Sequence, residues 1–387
     1  MEHDGIVALP ASGTFAGRVW RPDLKGPSVV IVRDGTVIDI TSRDTATLRD
    51  LLEIEDPAAY LRDVEGTSLG SLHELFANSI GEKAGADHPR LLAPCDLQAV
   101  KACGVTFAKS MVERVIEERA AGDPTRAEAV RAAVGAIIGD SLQNLVPGSA
   151  QAMQVKAALI EEGLWSQYLE VGIGRDAEVF TKSQPLSAVG WGADIGLHPV
   201  STWNNPEPEV VLAVDSQGRI KGATLGNDVN LRDVEGRSAL LLGKAKDNNA
   251  SCAIGPFIRV FDETYGIDDL RVAELELTVE GQDGFRLRGE SSMREISRDP
   301  LDLVAQTHGR HHQYPDGFML FLGTLFAPTQ DRDIAGEGFT HKIGDRVTIS
   351  NDELGSLTNS VRLSTDCPEW TFGFSALMRN LSARNLI

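Results

Sequence analysis

The apolar positions of the first 95 residues fall into short runs that are typical of β-strands. Strand-like runs occupy residues 18–20, 28–33 and 36–40. The last two runs flank Asp34-Gly35, a pair that tolerates the positive φ angles of a type I′ turn, so they predict a β-hairpin. A helical stretch follows near residues 45–53. We therefore expect residues 1–95 to form a small β-rich N-terminal domain.

From Phe107 onward the apolar spacing changes to that of an α-helix. Phe107, Met111 and Val115 repeat every four residues, with charged side chains on the other faces. Pro124 suits the first turn of a second helix, which we expect to reach about residue 138, and a third helix is expected over 151–162. This helical segment, about residues 107–163, is expected to form a lid or an interface, and both roles stay open.

Beyond residue 163 the pattern returns to strands separated by Gly and Asp turns. The strand-like runs lie at 209–214, 219–225, 275–279, 285–288, 318–322 and 346–349. The sequence shows no internal repeat. The pattern as a whole predicts an α+β fold, mainly β, in which residues 96–387 form the larger, second domain.

Charge and composition exclude several classes of protein. The chain has 387 residues, with 37 Lys and Arg against 56 Asp and Glu, so its formal net charge is −19. Such a chain is a poor binder of nucleic acid, because duplex affinity comes mainly from Lys and Arg. The longest nearly apolar run, residues 318–328, is about half of the ~20 residues that a membrane helix needs. No signal-peptide pattern or paired cysteine motif is present, so we expect a cytoplasmic protein with no nucleic-acid or membrane partner.

Candidate chemistry appears first at Glu207 and Glu209. The two residues are two positions apart, so on an extended chain their carboxylates point to the same face, roughly 7 Å apart at the backbone. Pro206 and Pro208 favour that extended shape. Two carboxylates on one face repel each other unless a cation lies between them, and Mg²⁺ or Mn²⁺ prefers such oxygen ligands. An exposed acidic turn is the alternative interpretation of this pair.

The residues that follow strengthen the first interpretation. Asp228 could supply a third carboxylate, and a Gly-bounded segment downstream carries Lys244 and Lys246. In this order the chain resembles the fumarylacetoacetate hydrolase superfamily. The matching motifs are Glu207-Pro-Glu209, Asn227-Asp228 with Arg232-Asp233, Gly243-Lys244, Gly255-Pro256 and Gly323-Thr324.

The resemblance implies a fold and a set of ligands. It implies a mixed β-sandwich roll over residues 96–387, with the helical insertion and the N-terminal domain added to it. It also implies that Glu207, Glu209 and Asp228 hold one Mg²⁺, with Mn²⁺ as the alternative. The cation would bind the 2-oxo acid end of an anionic substrate, and family members commonly form a homodimer or a homotetramer.

The resemblance also assigns roles to single residues. Lys244 matches the active-site lysine, whereas Lys246 occupies a position that is usually apolar, so Lys244 is the preferred catalytic lysine. Thr324 matches the threonine that helps to hold the substrate carboxylate. Asn248 falls where some members carry a hydroxyl residue, and Ser110 falls where hydrolytic members carry a histidine, so both are expected to contact substrate.

That histidine distinguishes two subclasses of the superfamily. It activates water in the hydrolytic members, and no histidine lies between His88 and His198 in this sequence. The pattern is instead similar to that of the 2-keto-3-deoxy-pentonate dehydratases. The segments that carry this likeness are residues 104–107, 115–119, 164–171, 203–209 and 313–317. The expected reaction converts a 2-keto-3-deoxy-pentonate, with 2-keto-3-deoxy-D-xylonate preferred, to 2-oxoglutarate semialdehyde in oxidative pentose degradation.

A mechanistic hypothesis follows from this resemblance. Lys244 or a metal-linked base would remove a C3 proton to give a metal-stabilised enolate, and an acid would help the C4 hydroxyl to leave. Glu117 is the nominated acid; its rivals are Glu113, Glu118 and Glu235. Two other functions stay open: a carbon–carbon hydrolase of acylpyruvates or fumarylacetoacetate-like compounds, and a catalytically silent metal-binding module.

Overall fold

The computed structural model describes most of the chain. It covers residues 9–81, 87–121, 123–127, 145–161, 163, 165–326, 328 and 330–387, without the side chains of 108–110. The strands of the larger sheet are β1 (Phe15–Arg21), β2 (Gly26–Arg33), β3 (Thr36–Asp39), β4 (Thr67–Ser71), β5 (Arg90–Leu92), β6 (Ala99–Gly104), β7 (Glu178–Ser183), β9 (Pro208–Val214), β10 (Ile220–Asp228), β11 (Cys252–Val260) and β14 (Phe318–Phe321). The strands of the smaller sheet are β8 (Asp194–Leu197), β12 (Glu274–Glu280), β13 (Arg286–Ser292), β15 (Arg346–Asn351) and β16 (Gly355–Leu363).

The larger sheet runs in the order β4-β3-β2-β1-β11-β10-β9-β14-β6-β7, and β5 also pairs with β1. Its pairs are antiparallel except for β14 and β6, which are parallel. The central strands β9 and β11 are buried along their whole length, which explains why they read as continuous apolar runs rather than as alternating patterns.

The larger sheet is the middle of three layers. On one face it shares a core with the smaller sheet, whose order is β13-β12-β15-β16-β8; Val210 and Leu212 of β9 lie in one cluster with Leu277 of β12. On the opposite face, Val211 belongs to a second cluster with Leu48 of helix α1. Neighbouring residues of β9 therefore face different layers, because side chains alternate along a strand.

The N-terminal hairpin has the predicted form. β2 and β3 pair antiparallel, and Asp34 and Gly35 connect them with φ angles of 50° and 70°. β1 pairs with β2 along its whole length and also with β11 through Phe15 and Ala16. The sequence-based boundary near residue 95 therefore lies within one continuous sheet.

The described α-helices lie between the strands along the chain and at its C-terminal end. They are α1 (Leu48–Glu53), α2 (Pro57–Asp63), α3 (Leu72–Ala77), α4 (Ala108–Ala120), α5 (Ala150–Glu161), α6 (Gln167–Ile173), α7 (Arg232–Glu235), α8 (Leu242–Lys246), α9 (Ile267–Leu270), α10 (Pro300–Thr307) and α11 (Phe374–Ala383). Among the described residues, none of these helices is long and apolar enough to cross a bilayer.

Helices α4, α5 and α6 form a cap with its own apolar cluster. Met111, Val115 and Ile116 of α4 pack with Leu169 and Ile173 of α6. The bounds of α4 and α5 agree with the helical spacing in the sequence. The second expected helix is helical over residues 124–127, and its continuation to 138 lies outside the described residues. The mixed α and β architecture with large sheets is confirmed.

Candidate metal centre and active site

The hairpin of β9 and β10 brings three carboxylates together. Gly226 pairs with Glu209, and the backbone N–H of Asp228 donates to the carbonyl of Glu207 at 3.1 Å. In this register Glu207 and Glu209 point to the same side, and Asp228 lies opposite Glu207. One oxygen from each carboxylate lies within 4.8 Å of the others, and all three residues are buried.

Short side chains and backbone donors hold this cluster in place. The Oδ1 atom of Asn227 accepts the N–H of Glu207 at 3.1 Å, and the N–H of Gly323 donates to Oε2 of Glu209 at 2.6 Å. A Cβ atom at Gly226 would lie 2.3 Å from the Phe321 ring, so only glycine lets the two strands and the ring pack this closely. The carboxylates are therefore positioned before any ligand binds.

Three cationic side chains partly compensate the carboxylates. The Nζ atom of Lys246 lies 2.5 Å from Oε2 of Glu207 and 3.0 Å from Oδ2 of Asp228. Lys182 of β7 reaches Oδ1 of Asp228 at 2.9 Å, and Arg114 of α4 forms an ion pair with Oε1 of Glu207. The charged residues that meet here come from β7, β9, β10, α4 and α8.

The neighbouring cations do not neutralise the three carboxylates equally. Burial and the neighbouring carboxylates of Asp228 and Glu207 raise the pKa of Glu209 well above its usual value. Burial also disfavours the charged form of Asp228, but Lys182 and Lys246 outweigh it and lower the pKa of this residue. In the metal-free site the negative charge is therefore least compensated at Glu209, which favours the protonated form of this residue. Three buried carboxylate oxygens at this separation are the donor set that a hard divalent cation prefers, so the residues fit Mg²⁺ or Mn²⁺.

The structure corrects the choice of lysine. Residues two positions apart on a helix are separated by about 200° of rotation, so Lys244 and Lys246 of α8 cannot face the same side. Lys246 is 2% exposed and contacts the carboxylates, whereas Lys244 is exposed and lines a separate surface pocket with Arg237. The preference for Lys244 was wrong about which lysine enters the cleft. For Lys246, burial opposes the charged form, but Asp228 and Glu207 more than offset it and raise its pKa.

Glu117 lies beside the cleft, but its contacts argue against a role as the acid. Its carboxylate accepts from Arg114 Nη1 and from Arg232 Nε, both at 2.7 Å. Burial opposes ionisation, yet these two arginines lower the pKa of Glu117 below its usual value. A carboxyl that is held as an anion is a poor proton donor.

The rivals of Glu117 have different surroundings. Glu235 lies 3.0 Å from Arg114 Nη1, and its burial raises its pKa. Glu113 lies 3.7 Å from Arg232 Nη2. Glu118 accepts a hydrogen bond from Gln167 of α6 at 2.9 Å and does not line the cleft.

The three expected substrate contacts are found in different places. Thr324 lines the cleft, and its Oγ1 atom accepts the N–H of Phe326 at 3.1 Å. Asn248 does not line the cleft; its Nδ2 atom donates to the carbonyl of Lys244 at 2.9 Å, beyond the end of α8. Ser110 belongs to the first turn of α4, and its side chain lies outside the described residues.

Glu178, which the sequence did not indicate, also lines the cleft. It begins β7 opposite Gly104 of β6. Its carboxylate packs directly against that glycine: a Cβ atom at Gly104 would lie 1.9 Å from Oε2 of Glu178, so a side chain at position 104 would displace it. Burial and the charge of Glu235 raise the pKa of Glu178 to about 7. A carboxyl with that pKa can exchange protons near neutral pH. The pairing of β6 with β7 joins residues 74 positions apart, and no local motif marks it.

Part of the chain is similar to a known protein family. Residues 187–362 match the family described as fumarylacetoacetate (FAA) hydrolase C-terminal. These residues include the β9–β10 hairpin and Lys246, and they make up less than half of the chain.

Two curated relatives are dehydratases of 2-keto-3-deoxy sugar acids. The chain is 31% identical over 201 residues to the probable 2-keto-3-deoxyxylonate dehydratase of Haloferax volcanii, a match that covers 52% of this chain and 65% of that protein. It is 32% identical over 185 residues to 2-dehydro-3-deoxy-D-arabinonate dehydratase of Saccharolobus solfataricus, a match that covers 48% of this chain and 58% of that protein. The chain thus matches 58–65% of the length of these relatives.

Solved structures show the same fold. The apo form of 2-keto-3-deoxy-D-arabinonate dehydratase superposes with a TM-score of 0.63 at 21% identity, over 90% of this chain and 99% of that one. Its complex with magnesium and 2,5-dioxopentanoate superposes with a TM-score of 0.64, at the same identity and coverage. The common fold therefore extends over most of this chain.

Proposed function

We propose that this protein is a metal-dependent dehydratase that converts a 2-keto-3-deoxy-pentonate to 2-oxoglutarate semialdehyde. The observation that carries the proposal is the buried cluster of Glu207, Glu209 and Asp228, which lines a cleft together with Lys246 and is in contact with it. The two curated relatives support this substrate class. The product, also called 2,5-dioxopentanoate, is the compound bound with magnesium in the similar dehydratase structure.

Glu207, Glu209 and Asp228 would hold the divalent cation. When bound, that cation would polarise the 2-keto group of the substrate and make the C3 protons more acidic. Arg114 and Lys246 already contact these carboxylates, so together with the bound cation they would offset the negative charge of the cleft and allow an anionic substrate to bind.

Glu178 and Lys246 are the groups placed to move protons. Both line the cleft with the three ligand carboxylates. We assign removal of the C3 proton to Glu178, because its pKa near 7 leaves much of it ionised at neutral pH. Lys246 is protonated in this arrangement, and its ammonium group is a donor to oxygen atoms of the reacting molecule.

The reaction balances without an oxidant or a reductant. Loss of the C3 proton and of the C4 hydroxyl releases one molecule of water and leaves a C3–C4 double bond. Loss of a C5 proton and protonation at carbon then move the unsaturation to C5, where the hydroxymethyl group becomes the aldehyde. The overall change is the removal of one water.

Incubation with defined substrates tests the proposal. The purified protein with Mg²⁺ should form 2-oxoglutarate semialdehyde from 2-keto-3-deoxy-D-xylonate or 2-keto-3-deoxy-D-arabinonate, as measured with an added aldehyde dehydrogenase. EDTA should abolish the signal, and fresh Mg²⁺ or Mn²⁺ should restore it. Absence of semialdehyde from both substrates with either metal would refute the proposal.

The same assay separates the two alternatives. A carbon–carbon hydrolase would release pyruvate from acetylpyruvate, but no histidine is among the described residues that line the cleft. A silent metal-binding module would give no product, and it would have no need of Glu178 and Lys246 beside the ligands. A homodimer or homotetramer with a mixed β-sandwich roll in each subunit stays a prediction, which light scattering tests for the assembly.

A further inference from the structure

The cleft has a second chamber beyond the three carboxylates. Arg114, Glu207 and Thr324 line both chambers, so they form the junction between them. The second chamber is narrow, and its volume of about 10 Å³ is room for about one water-sized group. Its other walls are Glu113, Glu117, Asn205, Arg232 and Phe326. It is therefore a polar compartment with one aromatic wall.

Arg232 has a hydrogen-bond donor to spare in this compartment. Its Nε atom binds Glu117 at 2.7 Å, and its Nη1 atom donates to the carbonyl of Pro328 at 3.2 Å. The Nη2 atom is buried and has no hydrogen-bond acceptor among the described residues, and Oε2 of Glu113 lies at 3.7 Å. A buried donor without an acceptor is unfavourable, so an oxygen atom of a ligand placed there would satisfy it.

Phe326 forms the apolar wall of the chamber. Its ring packs over Gly289 of β13, where a Cβ atom would lie 2.1 Å from the ring. Its backbone N–H donates to Oγ1 of Thr324. The aromatic wall is thus fixed relative to Thr324, at the junction with the carboxylate chamber.

We propose that this second chamber is the subsite for the hydroxyl-bearing end of the substrate. Glu113 and Arg232 recognise the C5 hydroxyl. Phe326 restricts the substrate to five carbons. The inference rests on the proposed function, because the 2-oxo acid end must then occupy the first chamber. A hydroxyl group can donate to a carboxylate and accept from a guanidinium at the same time. This pair of wall residues is therefore suited to a sugar-acid tail and poorly suited to an alkyl tail.

The first experiment removes the acceptor and, separately, the hydroxyl. Glu113→Gln should raise the KM for 2-keto-3-deoxy-D-xylonate about 10-fold, because a hydrogen bond to a charged group is lost. The KM for 4-hydroxy-2-oxopentanoate, which lacks the C5 hydroxyl, should stay at its wild-type value. Glu118→Gln is the matched control, since Glu118 lies on the same helix and contacts Gln167 instead. An equal effect of Glu113→Gln on both substrates would overturn the proposal.

The second experiment enlarges the chamber. Phe326→Ala should raise kcat/KM for the six-carbon 2-keto-3-deoxy-D-gluconate relative to the five-carbon substrate by about 10-fold, the effect of one or two methylenes in a pocket. An unchanged ratio would show that Phe326 does not set the length.

Calorimetry keeps this inference distinct from the proposed function. Binding of 2-keto-3-deoxy-D-xylonate and of 4-hydroxy-2-oxopentanoate to the Mg²⁺-loaded protein does not need turnover. Tighter binding of the first compound that Glu113→Gln abolishes would support the subsite even if no product forms. Equal binding of both compounds to the wild-type protein would refute it even if the dehydratase activity is present.

Discussion

At the scale of single residues, Lys246 and Lys244 provide a matched pair. Lys246→Met should lower kcat about 100-fold or more, the range expected for loss of a proton-transferring group, because its ammonium contacts Glu207 and Asp228. Lys244→Met should leave kcat unchanged, since Lys244 is exposed outside the cleft. Steady-state kinetics with saturating Mg²⁺ checks both. A large loss in Lys244→Met with little loss in Lys246→Met would reverse the assignment.

The ionisation of Glu178 should determine how kcat/KM depends on pH. If Glu178 must be ionised to accept the C3 proton, kcat/KM rises with pH until the carboxyl is fully deprotonated. The pKa of about 7 belongs to the protein without a cation, and a bound cation lowers it, so the midpoint of the rise should lie at or below pH 7. Glu178→Gln should lower kcat about 100-fold or more and flatten this acid limb. A variant that keeps the wild-type limb would exclude Glu178 as the base.

The sequence predicts the cluster of three carboxylates better than the groups around it. Glu207, Glu209 and Asp228 lie within one hairpin, so strand alternation and one turn suffice to bring them together. Glu178 reaches the site from another strand, and Arg114 reaches it from the cap. Such contacts depend on which strands become neighbours, and residue spacing does not encode that.

At the scale of elements, the β9–β10 hairpin carries electrostatic strain. The raised pKa of Glu209 means that the folded protein binds a proton that the unfolded chain has already released. The free energy of unfolding therefore falls as pH rises above the usual pKa of a glutamate. Glu209→Gln should stabilise the metal-free protein at pH 7 by about 1 kcal/mol or more and reduce that pH dependence.

Mg²⁺ should make the wild type more stable than Glu209→Gln, which reverses the order of stability in the metal-free proteins. At 100 times its Kd, the ion should stabilise the wild type by about 2.7 kcal/mol and should have little effect on Glu209→Gln, which lacks one ligand. Urea titrations with EDTA and with Mg²⁺ measure both effects. A metal-free Glu209→Gln that is less stable than the wild type would show that Glu209 is not strained.

The cap helix α4 is joined to the sheets by buried ion pairs. Glu117 of α4 and Arg232 of α7 are 4% and 2% exposed and meet at 2.7 Å. Glu117→Gln leaves Arg232 without its charged partner and should lower the free energy of unfolding by about 3 kcal/mol. Arg62→Gln removes an exposed pair with Glu263 and should cost less than about 1 kcal/mol. Thermal unfolding measures both losses of stability. If Glu117→Gln and Arg62→Gln lower the free energy of unfolding by equal, small amounts, α4 is held by its apolar contacts alone.

Periodicity predicted the elements that have one buried face. Helix α4 begins where the four-residue spacing begins, and β2 and β3 flank the Asp34-Gly35 turn. Helix α8 shows the limit of such reasoning, since five residues are too few for a period to show which lysine faces inward. The family motif could not correct this, because it places an apolar residue at position 246.

At the scale of the whole molecule, the larger sheet joins the N-terminal strands to the rest of the chain. β1 pairs with β11, and its side chain Phe15 lies in the core shared by both sheets. Deleting residues 1–95 would expose the edge of β11 and should leave a chain that does not unfold cooperatively. Far-ultraviolet circular dichroism with a thermal scan checks this. A cooperative transition in the shortened chain would support the two-domain division that the sequence favoured.

The pairing of β1 with β11 also has a consequence for synthesis. β1 must wait for residues near Arg259, and helix α11 later donates from Asn380 and Arg384 to the carbonyls of Leu24 and Pro27. At ribosomal speeds β1 therefore keeps its edge at Phe15 and Ala16 unpaired for roughly 10 to 50 s. Its open edge is a template for pairing with other nascent chains during that time. Recombinant yield should therefore depend on chaperones and on slow translation at low temperature more than on the stability of the finished protein.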